Sequence, residues 1–240
     1  MEHNNTNRRP RILFIFTSAN KTLQGNQTGW YLPEAAHPYY VLEPHADIEF
    51  ASPKGPNPPI HERSILNFKD DEICVKFLKD PIVKSKFSKA KKLTEIMINS
   101  SNDDFGYDVL FYPGGHGPVM DLASDPLNAK IASEFFRAGK IVAAICHGPA
   151  ALVGATDLEG KSIFEGRSAT GYSNEEEGLA KASLWVPFLV EDRLKSLGAT
   201  YVKAEELWKP KVVASGNLIT GQNPASSKPI GEEILRALTA

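Results

Sequence analysis

Cysteine is nearly absent from this chain. Of 240 residues only Cys74 and Cys146 are cysteines, too few for a disulfide framework and in keeping with a reducing compartment. Long apolar runs are missing too. The first apolar stretch, Ile12 to Phe16, is too short to span a bilayer. The first ten residues, Met1 to Pro10, carry no apolar segment of the secretory kind. Excess charge of one sign is also lacking. The formal net charge is −2, which argues against a general nucleic-acid or membrane-surface binder. No internal repeat is present. These absences leave a soluble protein of the cytoplasm as the expectation, with the nucleus as a second location. Neither nucleic acid nor membrane is an expected partner.

The chain does have enough apolar residues, 42%, for a substantial core. Its length suits one large α/β domain or a domain with an inserted cap. Residues 1–10 are polar and read as a flexible start, with a single domain over 11–240. Short apolar runs read as strands at Arg11–Thr17, Ile48–Ala51, Tyr107–Tyr112, Ile141–Ile145, Ser168–Thr170, Val212–Ser215 and Asn217–Gly221. Helical patterns fall at Asn128–Ala138, Pro187–Leu197 and Ile230–Leu238, and Pro33 would suit an early helical turn within Trp30–Leu42. Strands that alternate with helices predict an α/β fold, a largely parallel sheet covered on both faces. The segment from about 60 to 104 changes character. It is rich in Lys, Asp and Glu, and reads as an inserted helical cap outside the sheet. Its basic run, Lys84 to Lys92, reads as a solvated helix face because acidic residues flank it.

Cys146 follows the strand Ile141–Ile145 and precedes His147-Gly148-Pro149 and a run of small residues that suits a helix start. A free cysteine is commonly a buried core residue. At a strand-to-helix turn it is instead held on a sharp bend, where the positive end of the next helix favours thiolate. Ala144-x-Cys146-x-Gly148 parallels the nucleophile elbow. The loop Gly114-Gly115-His116-Gly117 also follows a strand, so backbone N–H groups of Gly115 and His147 could form an oxyanion hole. Glu34 lies among aromatic and apolar neighbours. If it approaches Cys146, two acidic groups share a pocket and titrate as a pair, with one proton retained between them. Among Glu175, Glu176 and Glu177, one could orient His147, although Ser173-x-x-Glu176 and Asn174-x-x-Glu177 both fit a helix capping box. The six histidines are His3, His37, His45, His61, His116 and His147. None follows His147, so a cysteine mechanism with a downstream histidine, as in papain-like proteases, is excluded. His37 and His45 show no ligand spacing, and neither a metal nor a cofactor is expected.

Five motifs in order, Glu34-Ala-Ala-His37-Pro-Tyr, Tyr112-Pro-Gly-Gly-His-Gly117, Ala144-Ile-Cys-His-Gly-Pro149, Gly171-Tyr-Ser-Asn-Glu-Glu-Glu177 and Gly221-Gln-Asn-Pro-Ala-Ser226, resemble the ThiJ/PfpI superfamily of class I glutamine-amidotransferase-like proteins. Within it they are similar to the branch of glyoxalase III enzymes and heat-shock chaperones. The resemblance implies a flavodoxin-like sandwich and a homodimer. It makes Cys146 the nucleophile, His147 its neighbouring histidine, Glu34 the proton shuttle and, by distance from Gly171, Glu177 the third triad member. It implies glutathione-independent conversion of methylglyoxal and similar small 2-oxoaldehydes to D-lactate or the matching 2-hydroxy acid, in a small pocket. The alternatives are a holdase chaperone, a deglycase repairing protein or nucleotide adducts, and last a peptidase or amidase.

Overall fold

The computed structural model describes residues 8–96 and 106–239. Most of the expected flexible start and residues 97–104 of the expected cap lie outside them. In chain order the strands are β1 Arg11–Ile15, β2 Asp47–Ser52, β3 Lys91–Lys92, β4 Val109–Tyr112, β5 Ile141–Ile145, β6 Ser168–Ala169, β7 Thr200–Tyr201, β8 Val212–Ser215 and β9 Leu218–Gly221. The α-helices are α1 Leu32–Leu42, α2 Glu62–Asn67, α3 Glu72–Lys79, α4 Pro81–Ser88, α5 Gly117–Met120, α6 Pro126–Arg137, α7 Asn174–Leu179, α8 Val190–Ser196 and α9 Ser227–Thr239. Seven strands form one sheet in the order β3-β2-β1-β4-β5-β9-β8. Every neighbouring pair is parallel except β8 and β9. The expected α/β sandwich, flavodoxin-like with helices on both faces, is what forms.

The alternation of side chains along each strand divides the core in two. On β1, β4 and β5 the residues Leu13, Ile15, Leu110, Tyr112, Val142 and Ala144 point to one face. Ile12, Phe14, Val109, Phe111, Ala143 and Ile145 point to the other. All are buried, as a sheet covered on both sides requires.

The segment from residue 60 differs from the expected cap in one respect. It does supply α2, α3 and α4, but it also returns to the sheet, because Lys91 and Lys92 pair in parallel with Ala51 and Ser52 of β2. Two lysines carry no apolar alternation, so nothing marked them as a strand. An edge position suits them, since Lys91 Nζ lies 2.6 Å from Glu49 Oε2 on β2 and charged side chains discourage further pairing. The helices pack down as well. Phe77 of α3 and Phe87 of α4 join Phe16, Trp30 and Phe50, with the Trp30 and Phe87 rings stacked at 5.0 Å. A further difference is β6, which pairs with β7 in a separate two-stranded sheet.

Candidate active site

The strand order places the site. From β1 the chain winds toward β2 on one side, and from β4 toward β5 on the other. The crevice at the carboxyl ends of β1 and β4 is therefore a topological switch point, where open α/β sheets bind ligands. Glu34 comes from the first turn of α1, after β1, and Gly114 and Gly115 follow β4. Cys146 follows β5. Tyr31 N–H donates to Gly114 O at 3.0 Å and ties the first two segments together.

Cys146 stands at φ 62°, in the left-handed region that non-glycine residues seldom occupy. The bend is pinned on both sides: Cys146 N–H donates to Gly221 O at 2.9 Å, and Tyr172 N–H donates to Cys146 O at 2.8 Å. The elbow expected from sequence is present. The following element is only a five-residue 3-10 turn, Gly148–Leu152. Its small dipole cannot pull the thiol down as a longer helix would. Burial pushes the Cys146 thiol well up, and the charge of Glu34 pushes the same way, while a hydrogen bond from Gly115 N–H opposes them. The sequence-based expectation of a thiolate favoured by a helix is corrected accordingly.

Glu34 is fully buried. Its Oε2 accepts from Gly114 N–H at 2.8 Å, its Oε1 has no hydrogen-bond partner, and the Cys146 thiol lies close enough to act on its titration. Burial raises Glu34 from 4.5 to about 8, against the opposing pull of the Cys146 thiol and the Gly114 N–H. The two acidic groups thus share one site, as anticipated. Gly114 is what lets them meet. A Cβ there would lie 2.6 Å from Glu34 Oε2, 2.6 Å from Ile145 O and 2.8 Å from Cys146 Cβ.

His147 Nδ1 is 3.3 Å from Cys146 Sγ, and His147 Nε2 is 2.6 Å from Glu177 Oε2. A carboxylate only accepts, so Nε2 carries the proton and Nδ1 turns its lone pair to the sulfur. Burial alone would raise Glu177. The charge of His147 and hydrogen bonds from both His116 and His147 outweigh it and hold the carboxyl well below its usual range. The neighbouring glutamates do other work. Glu176 forms the capping box with Ser173 and receives Gln222 Nε2 and Asn223 Nδ2. Glu175 is exposed and pairs with Lys203. The structure thus brings Cys146, His147, Glu34 and Glu177 together, with Gly115 against the sulfur.

His116 is an addition that no sequence argument had assigned, although it sits in the Gly-Gly-His-Gly loop. Its Nε2 donates to Glu177 Oε1 at 2.8 Å, and its ring centroid is 4.2 Å from that of His147. Two imidazoles therefore share one carboxylate. Burial and the charge of His147 lower His116, and burial with the charges of His116, Arg63 and His147 lowers His61 to about 4, so both are neutral near pH 7. Cys74, on α3, is fully buried and does not line the cavity over Cys146, with burial and Asp71 raising its thiol.

The cavity over Cys146 has a volume of about 880 Å³. The small pocket expected from sequence is corrected, because Tyr31, Phe68, Trp185 and Trp208, brought from four separate segments, wall an open space above Cys146. Among the described residues two groups of side chains bring ligand-type atoms within 4.8 Å of one another, His116 with His147 and Glu177, and His37 with Asp71 and Cys74. The first is the hydrogen-bonded constellation just described. The second brings His37 of α1 to Asp71 and Cys74, more than thirty residues later in the chain, which spacing could not reveal.

This constellation at a switch point defines a cysteine-centred site of the flavodoxin-like sandwich. Residues 65–237 match the DJ-1/PfpI family, and the chain belongs to that family. It is 30% identical to the glutathione-independent glyoxalase HSP31 of Saccharomyces cerevisiae, over 95% of this chain and 98% of that protein. It is 29% identical to glyoxalase 3 of Candida albicans over the same shares. The crystal structure of the Candida albicans glyoxalase III superposes with a TM-score of 0.82 at 25% identity, covering 95% of this chain and 97% of the other. The Rapid Encystment Protein 24 KDa of Francisella tularensis gives a TM-score of 0.87 at 30% identity, covering 95% and 99%. Among the described residues no helix is long and apolar enough to cross a membrane.

Proposed function

We propose that this chain is a cysteine-dependent, glutathione-independent glyoxalase that converts methylglyoxal and similar 2-oxoaldehydes to 2-hydroxy acids, D-lactate from methylglyoxal, and that it works as a homodimer. The observation that carries the reading is the floor of the cavity, where one sulfur has a protonated carboxyl on one side and a histidine lone pair on the other. The named glyoxalase relatives support the substrate class.

The chain's own groups account for every proton. His147 Nδ1 takes the thiol proton as Sγ bonds to the aldehyde carbon, and Glu34 gives its proton to the carbonyl oxygen. The product is a hemithioacetal, beside a Glu34 carboxylate and a protonated His147. Glu34 then removes the proton on C1, and His147 protonates the oxygen on C2, which yields an enediol. Glu34 returns its proton to C2 while His147 receives the proton of the C1 hydroxyl, leaving a thioester of the 2-hydroxy acid. Water attacks that thioester, its proton passes to Glu34, and the departing sulfur recovers its own from His147. The net change is addition of one water. General acid–base groups so placed contribute roughly a hundredfold to ten-thousandfold each. Gly115 N–H, beside the sulfur, stabilises charge developing on the oxygen at C1. Lactate formation from methylglyoxal by purified protein without glutathione, with its chirality determined, tests the reading. D-lactate made by the parent and not by Cys146→Ser is expected, and no lactate from the parent would refute it.

A further inference from the structure

The reacting groups occupy only the floor of a cavity of about 880 Å³, a volume in the range of roughly 300–1,000 Å³ that drug-sized ligands fill. A three-carbon aldehyde leaves most of it empty. Above the floor stand four aromatic side chains, Tyr31, Phe68, Trp185 and Trp208. At the rim are Arg63 and Lys181, both exposed and neither ion-paired among the described residues. Among the described residues the only carboxyl lining the cavity is that of Glu34, buried at the bottom. A chain of net charge −2 thus presents an aromatic shaft whose rim is positive.

The backbone singles out the same place. Among the described residues four that are not glycine have positive φ, and three of them, Cys146, Lys181 and Trp208, line this cavity. A bulky residue at φ 62°, as Trp208 is, is an outlier that persists only where its surroundings enforce it, and such outliers gather at ligand clamps. Here the enforcement is visible. Trp208 N–H donates to Glu176 Oε1 at 3.2 Å, and Asn223 Nδ2 holds the same oxygen at 2.7 Å. The ring is left 44% exposed, 6.0 Å from Tyr172, whose own ring lies 4.5 Å from His147. A buried carboxylate therefore fixes an apolar ring on the lip of the cavity.

We propose that the preferred substrates are aromatic 2-oxoaldehydes bearing an anionic group, with the dicarbonyl on the floor at Cys146, the ring in the shaft against Trp208, and the charge at Arg63 and Lys181. The inference rests on the glyoxalase reading. Contacts to the ring and the charge lie remote from the reacting carbons, and enzymes use such contacts to position the reacting end.

Binding of three 2-hydroxy acids, the products of such substrates, tests this without depending on turnover. Titration calorimetry on the full-length protein with D-lactate, mandelate and 4-carboxymandelate is expected to show Kd falling about tenfold at the first step. At the second it should fall a further threefold or more at low salt, a gain that fades as ionic strength rises. Trp208→Asn keeps a residue that tolerates the left-handed backbone and should abolish the first step selectively. Arg63→Gln with Lys181→Asn should abolish only the second. Equal Kd values for the three acids, or steps that survive in these variants, would overturn the inference. Methylglyoxal turnover measured on the same preparation separates the two questions. Turnover with flat binding overturns only the substrate class, and absent turnover overturns the reaction.

Discussion

Replacing Glu34 by glutamine removes a titrating proton from the floor of the cavity and keeps its shape. The glutamine oxygen can still accept from Gly114 N–H, and its amide can still face the sulfur. In the parent the carboxyl titrates near 4.5 when unfolded and about 8 when folded. Between those values the folded chain holds a proton that the unfolded chain has released, so parental stability falls as pH rises, by about 1.4 kcal/mol per pH unit. The thiol of Cys146, with an ordinary value of 9.0, adds nothing in that window. Glutamine has no such slope. The variant should therefore match the parent near pH 4.5 and exceed it by an amount that grows to about 5 kcal/mol at pH 8, a large share of the roughly 5–15 kcal/mol that holds a typical domain together. Activity should move the other way, with kcat down by about a hundredfold or more. Urea denaturation of both proteins from pH 5 to pH 8, with methylglyoxal turnover alongside, reads both effects. Parallel stability curves would show that Glu34 is ionised in the fold. A kcat within a factor of a few of the parent would remove it from the mechanism and leave His147 as the base.

Four further outcomes are expected. Alkylation with peptide mapping should label Cys146 and spare Cys74, since only the first opens to the cavity; equal labelling at pH 6 would contradict the assignment. Mild peroxide should add oxygen to Cys146 ahead of the three methionines and Cys74, because its sulfur opens to the cavity and His147 Nδ1, 3.3 Å away, can take its proton as it reacts; mass spectrometry locates the oxygen. Glu177→Gln should cost about a hundredfold or more in kcat, because an amide nitrogen turned to His147 no longer fixes Nε2–H and the lone pair on Nδ1. Its acid sensitivity should also lessen: the parental carboxyl, held below its usual range, supports the fold above pH 4.5 and loses that support as pH falls, whereas glutamine does not titrate. Gly114→Ala should lower both Tm and kcat, since the added carbon meets Glu34, Ile145 and Cys146 within 3 Å; a normal kcat would show that the loop can shift without moving Glu34.

Much of the fold was legible because its signals are local. Buried parallel strands are short apolar runs, and Ile141–Ile145 and Val109–Tyr112 could be nothing else. The elbow at Cys146 was legible for the same reason, as strand, cysteine and small residues adjoin. Glu177 was separable from its neighbours only through the resemblance, since both capping boxes fitted locally. Folding decided it by turning Glu176 to Ser173 and Glu177 to His147.

What the sequence determined by itself is therefore the alternation of strand and helix, the cysteine at the elbow and the residues beside it in the chain. What only the tertiary structure decided are relations between distant segments. The proton held on Glu34 depends on complete burial against Cys146, and the second imidazole on Glu177 depends on the β4 loop meeting α7. Lys91 and Lys92 became a strand because β2 had an edge to cover. The wide aromatic cavity arose from side chains of four segments that share no pattern. Local propensity acts over a few residues, whereas burial, electrostatic coupling and cavity shape are set by whatever the chain's topology brings within a few ångströms.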